Sequence, residues 1–175
     1  LSGLSADHIS NIPLDDGYIT TGTKTKYGLQ YAHIYAPRKL RESVFAIDQV
    51  GRKLYGETDL RKENNQEIKS SSHSPIIGWA YDGNPIYGPY GYSEKSGGVV
   101  TQLKSGYKIE LKKNRPPTGV FPPEYFVEDF TWNNSTDEAV LDVHNGRFCI
   151  TPEFPTGTYA YFATIDSTPT SDGVF

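Results

Sequence analysis

With 175 residues, a formal net charge of −4 and a pI near 5.5, the chain is long enough for one sizeable core and lacks the basic surface that a nucleic-acid backbone requires. Hydrophobic residues are only 36%, yet aromatics reach 13% with 13 tyrosines, so large rings must supply much of the buried area. The 17 glycines and 12 prolines exclude a helical bundle, the single Cys149 excludes an internal disulfide, and no run of about 18 apolar residues is present to span a membrane as a helix.

In chain order, residues 1–30 scatter Gly3, Gly17, Gly22 and Gly28 among short apolar islands, which predicts an extended arm with one or two short strands. Gln30 to Tyr35 is β-prone, and Leu40, Val44 and Ile47 after Pro37 fall at the spacing of a short helix over 38–48. The polar stretch Arg61 to Ser72 reads as a connection, which divides the chain into an arm and connecting segment, 1–69, and a β domain, 70–175. Leu1 at the start and the loop-like residues 167–173 before Phe175 suggest a piece of a longer polypeptide. No charged region followed by an apolar one marks a signal peptide at the N-terminus.

Beyond Pro75, strand-forming runs come close together: Ile76 to Tyr81, Tyr87 to Tyr92, Val99 to Leu103, Tyr107 to Leu111, Tyr125 to Trp132, Phe148 to Thr151 and Thr158 to Thr164. Turn formers such as Gly83-Asn84-Pro85, Gly97-Gly98, Asn133-Asn134 and Asn145-Gly146 separate them. The predicted class is all-β, a compact β sandwich or partly closed barrel of short strands with an extended N-terminal arm. No period of 20 to 50 residues recurs, which excludes a solenoid or propeller. The run Lys104, Lys108, Lys112, Lys113 and Arg115 alternates with Tyr107, Ile109 and Leu111 and is read as a solvated strand face.

The richest segment runs from His73 to Tyr92. Within it Asp82-Gly83-Asn84-Pro85 predicts a turn: Asp82 accepts backbone N–H groups, Gly83 takes positive φ, and Pro85 forces Asn84 to be extended. Trp79, Tyr81, Asp82, Tyr87 and Tyr90 around this turn are candidate ligand-binding residues for a sugar or another ring, or else the wall of a tyrosine-rich core. Cys149, five residues after His144, makes a nucleophile-and-base pair close in sequence, but it lies on a predicted strand, where a cysteine packs as a small hydrophobe. Among the carboxylates, Glu124, Glu128, Asp129, Asp142 and Glu153 are available to a cleft, with Glu128-Asp129 beside Tyr125, Phe130 and Trp132 the first place to look for sugar binding. His8, His33, His73 and His144 show no close ligand spacing, so neither a catalytic nor a metal-ligating set is assigned, and no cofactor is expected.

Three pieces, His73 to Tyr92, Leu141 to Phe148 and Gly157 to Thr164, come in the order and composition of the YHYH family, which the chain resembles over roughly residues 70–166. It departs from that family where Tyr159-Ala160-Tyr161-Phe162 stands in place of Tyr-His-Tyr-His. The missing imidazoles weaken the metal-site reading that the family's histidines invite. This variant is similar to the form found in structural proteins of T4-like marine cyanophages. That resemblance implies a non-enzymatic component of a phage tail, baseplate or fibre, located in the virion. Its partners would be other virion proteins and copies of itself in a C3 or C6 arrangement, with neither nucleic acid nor membrane as a partner. Two other functions follow from the same residues: a receptor-binding module for a host surface glycan, and a secreted metal-binding protein.

Overall fold

A computed structural model of the chain describes residues 17–20, 30–33, 36, 40–41 and 70–165. These residues form an all-β protein of short strands, as the composition predicts, with one short 3-10 turn at Val127–Asp129. In the N-terminal segment β1 (Gly17–Thr20) pairs antiparallel with β2 (Gln30–His33), in register from Gly17 opposite His33 to Thr20 opposite Gln30. Of the predicted helix over 38–48, Leu40 and Arg41 are helical and the remainder lies outside the described residues, as does most of the arm.

The predicted turn closes the hairpin of β3 (Ile76–Trp79) and β4 (Pro85–Tyr87). Asp82 Oδ1 accepts the Asn84 N–H at 3.0 Å, and Gly83 sits at φ +85°, which a side chain would disfavour. Pro85 opens β4, where its missing N–H costs the ladder least. β4 is flanked on its other side by β10 (Thr158–Phe162), which runs parallel to it, and β10 carries β9 (Gly146–Cys149) antiparallel on its far edge. The order β3-β4-β10-β9 therefore places the last strand in the middle of the sheet.

Alternation along these strands builds the core. Tyr87, Cys149, Ala160 and Phe162 turn inward, where they meet Leu103 and Leu141. The Tyr87 and Phe162 rings stack with centroids 5.5 Å apart. His73 stands edge-on to Tyr87 at 5.0 Å and is 5.1 Å from Tyr92, so its ring is a structural part of this aromatic cluster. Just beyond it, Ser74 fastens the incoming chain to Tyr90 through two bonds, Ser74 N–H to the Tyr90 carbonyl at 2.8 Å and Tyr90 N–H to Ser74 Oγ at 2.9 Å.

The predicted strand from Tyr87 to Tyr92 is broken in two at Gly88-Pro89, because Pro89 cannot donate to a ladder; the chain turns there from β4 into β5 (Tyr90–Glu94). β5 pairs with β6 (Gly97–Gln102) as a separate ribbon. A third pair, β7 (Tyr107–Ile109) with β8 (Phe130–Trp132), docks on the segment before β9, with Tyr107 OH donating to the Val143 carbonyl at 2.9 Å.

The loop between β7 and β8 is organised by one side chain. The Arg115 guanidinium makes a two-pronged ion pair with Asp129, donates to the carbonyls of Pro116, Phe121 and Pro122, and stacks over the Phe126 ring. Asp129 also accepts the Phe126 N–H, which bends 127–129 into the 3-10 turn and confines the predicted strand Tyr125–Trp132 to its last three residues. Arg115 is thus withdrawn from the surface lysine run, whereas Lys104, Lys108, Lys112 and Lys113 are exposed as predicted.

Leu103 is fully buried among the core rings. Leu103→Ala is expected to lower the free energy of unfolding by about 2–5 kcal/mol, read from a urea titration of both proteins, with the slope unchanged.

Candidate functional site

The same alternation that sends Ala160 and Phe162 inward turns Tyr159 and Tyr161 to the opposite face of the sheet. Opposite Tyr159 stands Phe148, 63% exposed, and opposite Tyr161 stand Gly146 on one side and Ile86 on the other. These residues compose an aromatic face with a carboxylate at either end. Tyr161 OH donates to Asp82 Oδ2 at 2.7 Å and Tyr159 OH donates to Asp142 Oδ2 at 2.7 Å, while the two rings meet edge to face at 5.2 Å.

Each carboxylate is held by its own turn. Asp142 Oδ1 accepts the N–H groups of His144 at 2.8 Å and Gly146 at 3.1 Å; Asp82 is fixed by Asn84 in the β3–β4 turn. Gly146 is required for a further reason: a Cβ there would come within 2.6 Å of the Tyr159 hydroxyl, so the ring reaches Asp142 only by crossing a glycine.

These bonds set the protonation states. The Tyr161 hydroxyl, then the Asn84 backbone, hold the Asp82 carboxyl below the usual range. Burial first, then the bond to Asp142, pushes the Tyr159 phenol well above the ordinary value, and the bond to Asp82 raises Tyr161. At neutral pH Asp82 is ionised, and both phenols keep protons that are already committed to carboxylates. What the face offers outward is hydroxyl lone pairs, negative charge and ring faces, which suit hydrogen-bond donors and cations.

The sequence-predicted site residues divide between two places. Tyr81, 99% exposed, Trp79, 60% exposed, and Asp82 lie together on the hairpin tip beside Tyr161, whereas Tyr87 and Tyr90 are buried, at 0% and 2%, and belong to the core wall. Tyr87 OH bonds Thr151 Oγ1 at 2.9 Å and Glu153 Oε2 at 2.8 Å. In the sequence Asp142 stands only as one of several carboxylates available to a cleft, and Tyr159 and Tyr161 only within the variant family motif; none is read there as a site residue, although the aromatic-small-aromatic-aromatic alternation of 159–162 carries the signal. Glu128-Asp129, chosen for its aromatic neighbours, is not a paired site, because Asp129 is consumed by Arg115.

Cys149 is buried in the core, its thiol raised by burial, while His144 sits in an exposed turn, so strand geometry separates them. No group of three or more metal-ligating side chains converges among the described residues. Positions 160 and 162, where the YHYH pattern has histidine, are core positions: Ala160 lies opposite Arg147, and the Phe162 ring is 6.2 Å from His73 and 5.6 Å from the Arg147 guanidinium.

His73 is the titratable group of this interior. Its Nδ1 lies 2.8 Å from the Ser74 carbonyl and must carry the proton there; Nε2 has no hydrogen-bond partner among the described residues. Burial, opposed by the Ser74 bond and aided by the nearby Arg147 charge, lowers its pKa from 6.5 to about 4. An unfolded chain therefore binds a proton before the folded one does. Stability is full above pH 6.5 and falls as the pH drops from about 6.5 to about 4, by roughly 3 kcal/mol. Unfolding free energies measured across that window are expected to show this loss, and His73→Phe to remove it. A second expectation concerns the open face: Gly146→Ala displaces the Tyr159 ring, and ultraviolet titration then finds one phenol returned toward the ordinary tyrosine range.

Comparison with known proteins gives one positive result. Neither a curated protein nor a solved structure matches the chain. The family model described as "YHYH protein" matches residues 21–174, which includes both the described β domain and much of the segment before it. Because that match covers most of the 175 residues and contains the complete β3-β4-β10-β9 sheet, the chain belongs to the YHYH family.

Proposed function

We propose that this chain is a structural domain of a tailed-phage virion, part of a tail, baseplate or fibre, and that it acts through protein contacts and not by catalysis. The observation that carries the reading is an aromatic core beneath an open face that carries Tyr159, Tyr161 and Phe148, the last 63% exposed, with Trp79 and Tyr81 exposed at the adjoining hairpin end. Large rings left in water on a rigid sheet are what a contact surface requires. The variant form of residues 159–162 supports the same reading, since its inward positions hold Ala160 and Phe162, which ligate nothing, while the outward tyrosines remain. A secreted metal-binding protein would have to draw its ligands from elsewhere in the chain.

Cryo-EM of the purified virion tests the proposal. The expected result is density for this fold, with Trp79 and Trp132 as landmarks, in a three-fold or six-fold tail layer. A fully assigned tail without this fold sinks the reading.

A receptor-binding role is the second reading, favoured by one specific observation: Tyr81 and Trp79 are exposed beside the ionised Asp82, a ring platform next to an acceptor for sugar hydroxyls. It predicts retention on a glycan array, weakened about tenfold by Trp79→Ala through loss of stacking. Absence of binding to every surface glycan of the host excludes it.

A further inference from the structure

We infer that the aromatic and acidic face of the central sheet receives the lysine-bearing β7 edge of a second copy of this chain, in a head-to-tail contact. The inference rests on the proposed assembly role and names the partner of its surface.

At the tyrosine pair the receiving side presents acceptors. Asp82 and Asp142 bring two negative charges to the ends of the Tyr159–Tyr161 pair, and both phenol protons point at those carboxylates. A partner must therefore donate. The two ring faces and the exposed Phe148 favour a donor that is cationic and carries apolar stem or neighbours.

The chain itself presents such a surface. Lys108, Lys112 and Lys113 are exposed on and just after β7, interleaved with Ile109 at 47% and Leu111 at 44% exposure. Glu110 lies in the strip and is 3.7 Å from Lys112 Nζ, which also donates to Thr131 Oγ1 at 2.9 Å; with Lys104 the strip remains net positive. Tyr107 turns toward Val143, so the alternate residue Lys108 faces the other way, on the side of Thr131. The acidic face and the basic strip are complementary in charge and can satisfy each other between copies. Because the two patches differ, the contact is heterologous, and repeating it generates a ring or a filament.

The test is sedimentation of the whole purified chain at about 25 mM and about 500 mM salt, since the screening length of exposed charges shrinks from about 20 Å to about 4 Å across that range. Concentration-dependent association at low salt that weakens at least tenfold at high salt is expected. Charge reversal separates this contact from other self-association: Lys108→Glu and Asp82→Lys should each abolish assembly alone, and an equimolar mixture of the two should form dimers. A chain that is monomeric at both salts overturns the inference, as does association that neither reversal changes. Circular dichroism of each variant verifies the fold, and Phe148→Lys, exposed on the receiving face, serves as a second change of that side should Asp82→Lys disturb its turn. Monomeric behaviour would leave placement in the virion standing, because a different tail subunit could occupy the same face; only the virion map bears on that.

Discussion

The parallel pairing of β4 with β10 brings together parts of the chain more than seventy residues apart, and it does so through only two registered pairs, Tyr161 with Ile86 and Phe162 with Tyr87. So short a ladder cannot hold by backbone bonds alone. What secures it is the layer beneath, where the Phe162 and Tyr87 rings stack and His73 closes the edge of the cluster. Register is fixed with the same stroke: a slip of one residue would bring Tyr161 into the core and throw Phe162 out. The core and the open face are two sides of one alternation, so neither can be altered without the other.

That coupling explains how carboxylates from distant loops come to share a surface. Asp82 belongs to the β3–β4 turn and Asp142 to the turn before β9, and each turn first satisfies its own backbone through one carboxylate oxygen. The second oxygen is left for a tyrosine. Because β10 lies between β4 and β9, its two outward tyrosines reach one turn each. The result is a face in which both phenol protons are used and charge remains. The Arg115 loop shows the contrasting solution, in which Asp129 finds its cation within the chain.

Local chemistry was the legible part of the sequence. The all-β class, the pairing-prone runs and the Asp82-Gly83-Asn84-Pro85 turn follow from steric rules that act over a few residues, and the turn formed with the donor, acceptor and positive φ assigned to it. The insertion of β10 between β4 and β9 was not legible, because strand order depends on packing between residues far apart and no local propensity encodes it. The candidate site suffered from the same limit. Trp79, Tyr81 and Asp82 were found through the turn that displays them, while Tyr87 and Tyr90, equally aromatic and only a few positions on, were drawn into the core by β4 and β5. Tyr159 and Asp142 could be paired only once Gly146 was seen to lie beneath the ring.

The interior positions of β10 bear on what kind of surface this domain carries. A histidine in the core demands a partner for each ring nitrogen, and His73 illustrates the cost: one nitrogen is served by the Ser74 carbonyl, the other has no partner among the described residues, and the pKa falls to about 4. Imidazoles at 160 and 162 would add two more such demands beside the buried Arg147, whose positive charge opposes any further cation there. Ala160 and Phe162 remove the demand and replace it with packing, Phe162 by stacking on Tyr87 and lying under Arg147. The inward side of the strand thereby becomes a purely mechanical support, and the chemistry that β10 still offers to other molecules lies on its outward side, in Tyr159 and Tyr161 and the carboxylates they hold.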